Sequence, residues 1–275
     1  MMVKRALALI LPLVLSLAAC GGNSGGGSAE DVELIVFAAA SMQETLTEIG
    51  ENYRAEHPNV TLTFNFDSSG TLKTQIQEGA DCDIFVSAGQ KQMDQLDSAA
   101  SSEVNTEGLD FVARGTRFDL LENKIALAVP EGNPKGIHSY DGLKAALEAG
   151  DVLLAVGNSD VPVGQYTQLI FAFWGLDEET LAASGVLTYG SNVKEVATQV
   201  SEGTVDCGII YGTDAFSAGL TVVDTATAEM CGQVIYPAAV LKISRHPDEA
   251  QDFLDYVRSD AGGAVLESVG FTPLQ

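Results

Sequence analysis

The stretch from Thr61 to Ala80 constrains this chain more tightly than any other. Thr61 to Phe66 alternates β-branched and aromatic residues, the pattern of a strand. Thr71 to Glu78 then runs at helical spacing, with Leu72 and Ile76 four apart on one face. Between them Asp67-Ser68-Ser69-Gly70 delivers a hydroxyl where the helix begins. A helix start carries unpaired N–H groups and a partial positive charge, so it holds an anion without any basic residue. Taken alone, the stretch reads as an ordinary Ser/Asp N-cap. Recurrence gives it weight. The apolar run Val32 to Ala40 leads into Ser41-Met-Gln-Glu44, which fits a Ser-x-x-Glu capping box, and into a helix with Leu46, Ile49 and Tyr53 on one face. Val152 to Gly157 leads into Val161-Pro-Val-Gly164, with Pro162 near the first turn of a helix that runs to Trp174. Thr188 to Asn192 precedes a helix from Val193 to Glu202.

Further strands are expected at Asp83–Ser87, at Leu120–Pro130 as one run crossing to a second lobe, at Asp206–Tyr211 and at Val234–Lys242 as a return strand. Helices at Pro247–Ser259 and Gly262–Gly270 close the chain. Strands alternating with helices predict an α/β fold with largely parallel sheets, whose ligands sit beyond the carboxyl ends of the strands. Four corners, at Ser41, Ser69, Val163-Gly164 and Asn192-Val193, then point donors at one cleft.

Met1 to Cys20 has a short basic start, an apolar run from Ala6 to Ala19 and small residues before Cys20, which predicts a signal peptide over residues 1–19. Leu17-Ala-Ala-Cys20 resembles a bacterial lipobox, with Cys20 as the lipidated residue and residues 20–31 as a Gly/Ser tether to the membrane. A net charge of −24 argues against nucleic acid and anionic membrane surfaces as partners, and it requires a bound anion to be held by local dipoles. Cys82, Cys207 and Cys231 remain after Cys20; Cys207 with Cys231 is the expected disulfide, and no Cys/His cluster suggests a metal or redox site.

The segments Val36 to Ser41, Ser68 to Leu72, Asp83 to Asp94, Val161 to Gly164, Ile210 to Asp214 and Gly270-Phe271 resemble the periplasmic molybdate-binding proteins of molybdate ABC transporters. The similarity runs from about Leu34 to Phe271. It implies a two-lobed type II periplasmic-binding-protein fold, each lobe a mostly parallel sheet flanked by helices and joined by crossover strands. Lobe I would take residues 32–124 and 238–275, and lobe II residues 125–237. The resemblance further implies an oxyanion, molybdate or tungstate, buried between the lobes with no cofactor and no direct protein–metal ligand. Its binding residues fall on Ser41, Ser69, Val163, Val193 and Tyr211: two hydroxyls, two backbone amides and a phenol. A permease and its ATPase subunit are the implied partners, and the protein is expected to be an exported, lipid-anchored monomer. Gly70 departs from the family, where a third serine is common at that position.

Other functions fit less well. Neither Ser41 nor Ser69 lies in G-x-S-x-G, and His57, His138 and His246 are read as surface residues, so a serine hydrolase lacks its partners. No arginine stands at any of the four corners to clamp an organic carboxylate. Sulfate and phosphate remain as alternative oxyanions. A protonated phosphate needs an acceptor, for which Asp67 is the candidate. Lys73 and Lys91 are expected to be solvated, and Trp174 to pack within the protein.

Overall fold

The computed structural model describes residues 30–274; the expected signal peptide and Cys20 lie outside them. The chain begins β1 (Val32–Ala39), α1 (Gln43–Glu56), β2 (Val60–Asp67), α2 (Ser69–Gln77), β3 (Ile84–Val86), α3 (Gln90–Asp94) and β4 (Phe118–Asn123). It continues β5 (Ile125–Val129), α4 (Tyr140–Ala149), β6 (Leu154–Gly157), α5 (Pro162–Trp174), α6 (Glu178–Ala183), β7 (Leu187–Gly190), α7 (Val193–Ser201), β8 (Cys207–Tyr211), α8 (Gly212–Ser217), β9 (Thr221–Thr225) and α9 (Ala228–Cys231). It returns through β10 (Val234–Val240), α10 (Pro247–Arg258), α11 (Asp260–Ser268) and β11 (Thr272–Pro273).

Two sheets result, in the strand orders β11-β4-β10-β3-β1-β2 and β7-β6-β8-β5-β9. Each contains a parallel trio with the same internal order, β2-β1-β3 in the first and β7-β6-β8 in the second. The expected two-lobed α/β fold is therefore present, but the sheets are mixed rather than mostly parallel. β4, β10 and β11 pair antiparallel in the first sheet, and β5 pairs antiparallel with β8 and β9 in the second. Of these, β4 and β5 carry the chain from the first sheet to the second, and β9 and β10 carry it back.

The run Leu120–Pro130 is two strands, not one. β4 and β5 belong to different sheets and break at Lys124, whose N–H donates to Asn123 Oδ1 at 2.8 Å and whose carbonyl accepts from Gly212 N–H at 2.9 Å. The second crossing lies between β9 and β10. The expected return at residue 238 falls inside β10, which pairs with the first sheet from Val234 onward.

Apolar periodicity placed the core well. Leu46, Ile49 and Tyr53 of α1 and Leu72 and Ile76 of α2 are all buried. α2 covers the face that holds Phe37, Phe85 and Leu241, while α1 covers the opposite face and joins a core continuous with the second lobe. Cys82, Cys207 and Cys231 are all free and buried, so the expected Cys207–Cys231 pairing is not formed. Cys207 opens the central strand β8, whereas Cys231 ends α9 with its Sγ facing the carbonyls of Thr227 and Gly232. Burial pushes these two thiols up to about 12 and about 11, which keeps them protonated. His57 and His246 are half-buried rather than surface residues, and the His57 ring stacks on Tyr53 at 4.1 Å. Among the described residues no helix is long and apolar enough to cross a membrane.

Candidate anion site between the two sheets

The carboxyl ends of the two parallel trios face one pocket, lined by Ala39, Ala40, Ser41, Asp67, Ser68, Ser69, Ala88, Val161, Pro162, Val193 and Tyr211. Its cavity volume is about 10 Å³. That is below the roughly 300 Å³ at which sites for ordinary organic ligands begin. The dimension suits a small inorganic ion.

Each wall of the pocket is a strand end that turns into a helix. β1 ends in a 3-10 turn, Ala40–Met42, that runs on into α1. β2 ends at Asp67; Ser68 caps α2 by accepting the Thr71 N–H at 3.1 Å, which leaves Ser69 at the first helical position. After β6, Val161 caps α5 with its backbone alone, and Pro162 opens the helix. After β7, Asn192 Oδ1 accepts the Glu195 N–H at 3.1 Å and Val193 opens α7. The first amides of a helix have no partner within it, so four sets of N–H groups and four positive dipole ends converge here.

Gly164 makes one of these corners possible. A Cβ there would stand 2.3 Å from the carbonyl oxygens of both Gly157 and Asn158, so only glycine lets α5 start this close to the end of β6.

The hydroxyls arrive with their protons directed. Ser69 is fully buried, and its Oγ accepts the Ala88 N–H at 2.9 Å, which leaves the serine proton to donate into the pocket. Ser41 Oγ lies 3.0 Å from the Tyr236 hydroxyl, and Asn123 Nδ2 lies 3.2 Å from the same hydroxyl. Asn123 Oδ1 is taken by the Lys124 N–H, so the amide nitrogen can only donate to Tyr236. All three groups are satisfied when Tyr236 donates to Ser41 and Ser41 turns its own proton toward the pocket. Tyr211 closes the second lobe's side, its hydroxyl 3.4 Å from the Ala88 carbonyl oxygen. Burial holds the Tyr211 and Tyr236 hydroxyls well above the usual phenol range, so both stay neutral donors.

The structure brings Ser41, Ser69, Val193 and Tyr211 to the pocket wall. Val163 is buried one residue beyond the lining residues Val161 and Pro162, with its N–H in the first turn of α5. The Ser41–Glu44 capping box is not formed. Ser41 lies inside the 3-10 turn, its hydroxyl is committed to Tyr236, and Glu44 reaches Lys194 instead. Ala88 and the Asn123–Tyr236 relay escaped the sequence reading. Ala88 lies in the block Asp83–Asp94, but an alanine backbone carries no chemical signal; Tyr236 reads only as a strand aromatic. Among the described residues no lysine or arginine lines the pocket, and Asp67 is the one carboxylate that does.

A two-lobed α/β protein with a small anion pocket at the carboxyl ends of both sheets is a binding protein of the periplasmic type. Residues 34–272 match the family of bacterial extracellular solute-binding proteins, and the chain belongs to that family. It is 32% identical to the Bacillus subtilis lipoprotein YvgL, assigned to an ABC transporter as its substrate-binding component, over 95% of each chain. It is likewise 32% identical to the Mycobacterium tuberculosis molybdate-binding protein ModA over 94% of each chain. Among solved structures, a Clostridium difficile substrate-binding domain assigned to a molybdenum ABC transporter superposes with a TM-score of 0.63 at 30% identity, covering 89% of this chain and 100% of that one.

Proposed function

We propose that the chain captures molybdate, and tungstate by the same geometry, for an ABC importer. One observation carries this: four helix starts, two serine hydroxyls and a phenol converge on a pocket of inorganic-ion size that no cation among the described residues lines. A fully ionised tetrahedral dianion presents only acceptors. Neutral, preoriented donors in a desolvated site match it on every oxygen. The similarity to molybdate-binding relatives supports the choice of ion.

In this reading Ser41, Ser69 and Tyr211 donate through their hydroxyls, and Val163 and Val193 through their amides. The anion bridges both lobes and so favours their closed arrangement by its differential affinity. The protein acts as an exported monomer tethered through a lipid on Cys20, and it delivers its cargo to a permease driven by a separate ATPase subunit. Asp67 on the pocket wall favours a second reading, a protonated oxyanion such as phosphate, for which a carboxylate is the natural acceptor.

Isothermal titration calorimetry of the chain begun after Cys20, with molybdate, tungstate, sulfate and phosphate, decides between them. Tight one-to-one binding of molybdate and tungstate, with sulfate and phosphate weak, is expected. Ser41→Ala and Ser69→Ala should each weaken molybdate about ten- to a hundredfold, the range for a hydrogen bond to a charged group. Heat from phosphate alone, abolished by Asp67→Asn, would favour the second reading. Wild-type affinity in both serine variants would remove those residues from the site.

A further inference from the structure

We propose that Lys194 is a closure latch, one ammonium that joins Glu44 of the first lobe to Asp214 of the second and sets how tightly the closed lobes retain their anion. The inference rests on the pocket taking a tetrahedral oxyanion. Each member stands within one helical turn of a pocket residue: Glu44 follows Ser41, Lys194 follows Val193, and Asp214 follows Tyr211. Lys194 Nζ lies 2.7 and 2.9 Å from the two carboxylate oxygens of Glu44, and 3.1 Å from Asp214 Oδ1.

The two halves of the latch differ in kind. Lys194 and Asp214 share a lobe, so their pairing does not require closure. Asp214 is fully buried, its Oδ1 is paired with Lys194 without hydrogen-bond alignment, and its Oδ2 meets no donor among the described residues. A carboxylate this poorly solvated holds the ammonium in place, because no other positive charge among the described residues pairs with it. Glu44 comes from the other lobe and joins only when the lobes meet. Most surface ion pairs contribute little because two flexible side chains must be ordered. Here one partner is already fixed, and it stands at the rim of the pocket.

Lys194 also offsets charge. Glu44 and Asp214 each follow a pocket-lining residue by three positions, so their carboxylates repel a dianion in the pocket, and the shared ammonium neutralises part of that repulsion. Its removal should therefore cost more affinity than the loss of Glu44 alone. Neutral contacts span the lobes as well, among them Gln92 Nε2 to Gln165 Oε1 at 3.1 Å, Asn123 Nδ2 to Thr213 Oγ1 at 2.9 Å and Tyr211 to Ala88, but these carry no charge.

The test is molybdate affinity by calorimetry in wild type, Glu44→Gln, Lys194→Met, the double variant and Lys194→Arg, with melting of each ligand-free protein. Glu44→Gln should weaken binding about fivefold and Lys194→Met tenfold or more. The double variant should be no weaker than Lys194→Met, and Lys194→Arg should stay near wild type. The ligand-free melting temperature of Glu44→Gln should not move, which separates a latch from a merely structural pair. Wild-type binding with unchanged affinity in Glu44→Gln and Lys194→Met would overturn the latch alone. Absence of binding by wild type to molybdate, tungstate, sulfate or phosphate would overturn the oxyanion reading and the latch with it.

Discussion

At Gly70 a methyl group has nowhere to go. A Cβ built there would stand 2.2 Å from the Asp160 carbonyl oxygen, which belongs to the other lobe. The contact exists only with the lobes together, so a side chain here opposes closure and leaves each lobe's own packing untouched. Gly70→Ala should weaken molybdate binding about tenfold or more while leaving the ligand-free melting temperature in place, measured by calorimetry and circular dichroism. An unchanged affinity would mean that the lobes close without this contact. The sequence showed Gly70 only as a departure from a serine-rich motif. Its reason lies across the cleft, at a residue ninety positions away that no local pattern connects to it.

At the scale of elements, the site is a set of helix starts, and their caps hold it in shape. Asn192 is the side-chain cap of α7 and fixes the turn that presents the Val193 amide. Asn192→Ala should cost about 1 kcal/mol and lower the melting temperature by about 2–4 °C in a chain of this size. A melting temperature equal to wild type would show that the α7 start is held by packing alone. Helix starts were legible at α2, α5 and α7, because Ser, Pro and Asn stand where caps and first turns require them. The start of α1 departs from its local spacing. Ser41 and Glu44 have the spacing of a capping box, yet both side chains are drawn away by partners far along the chain, Tyr236 and Lys194. β9 was missed because Thr221-Val-Val-Asp-Thr225 is a short edge strand, half exposed, with little apolar signal to mark it.

For the molecule as a whole, one buried carboxylate couples the fold to pH. Burial raises Asp214 from 3.8 to about 6, with the Lys194 charge opposing the shift and the Glu44 charge adding to it. The folded chain therefore holds this proton at a pH where the unfolded chain has lost it. Its contribution to stability is greatest in acid, falls as pH rises from about 4 to about 6, and levels off above that. Asp214→Asn removes the titration, so stability of the variant relative to wild type should rise by on the order of 3 kcal/mol between pH 4 and pH 7, read from urea midpoints. A difference that stays flat with pH would mean that Asp214 is not perturbed. By itself the sequence determined the alternation of strands and helices, the buried faces of α1 and α2, and the small polar corners that end the parallel strands, because these follow from periodicities of two and 3.6 residues and from local capping chemistry. Only the tertiary structure decided that the sheets are mixed, that the chain changes sheets at Lys124, that the cysteines stay free, and that Asn123 and Tyr236 orient Ser41. Each of those depends on which distant groups meet when two sheets pack edge to cleft, and contacts at that separation leave no periodic trace in the chain.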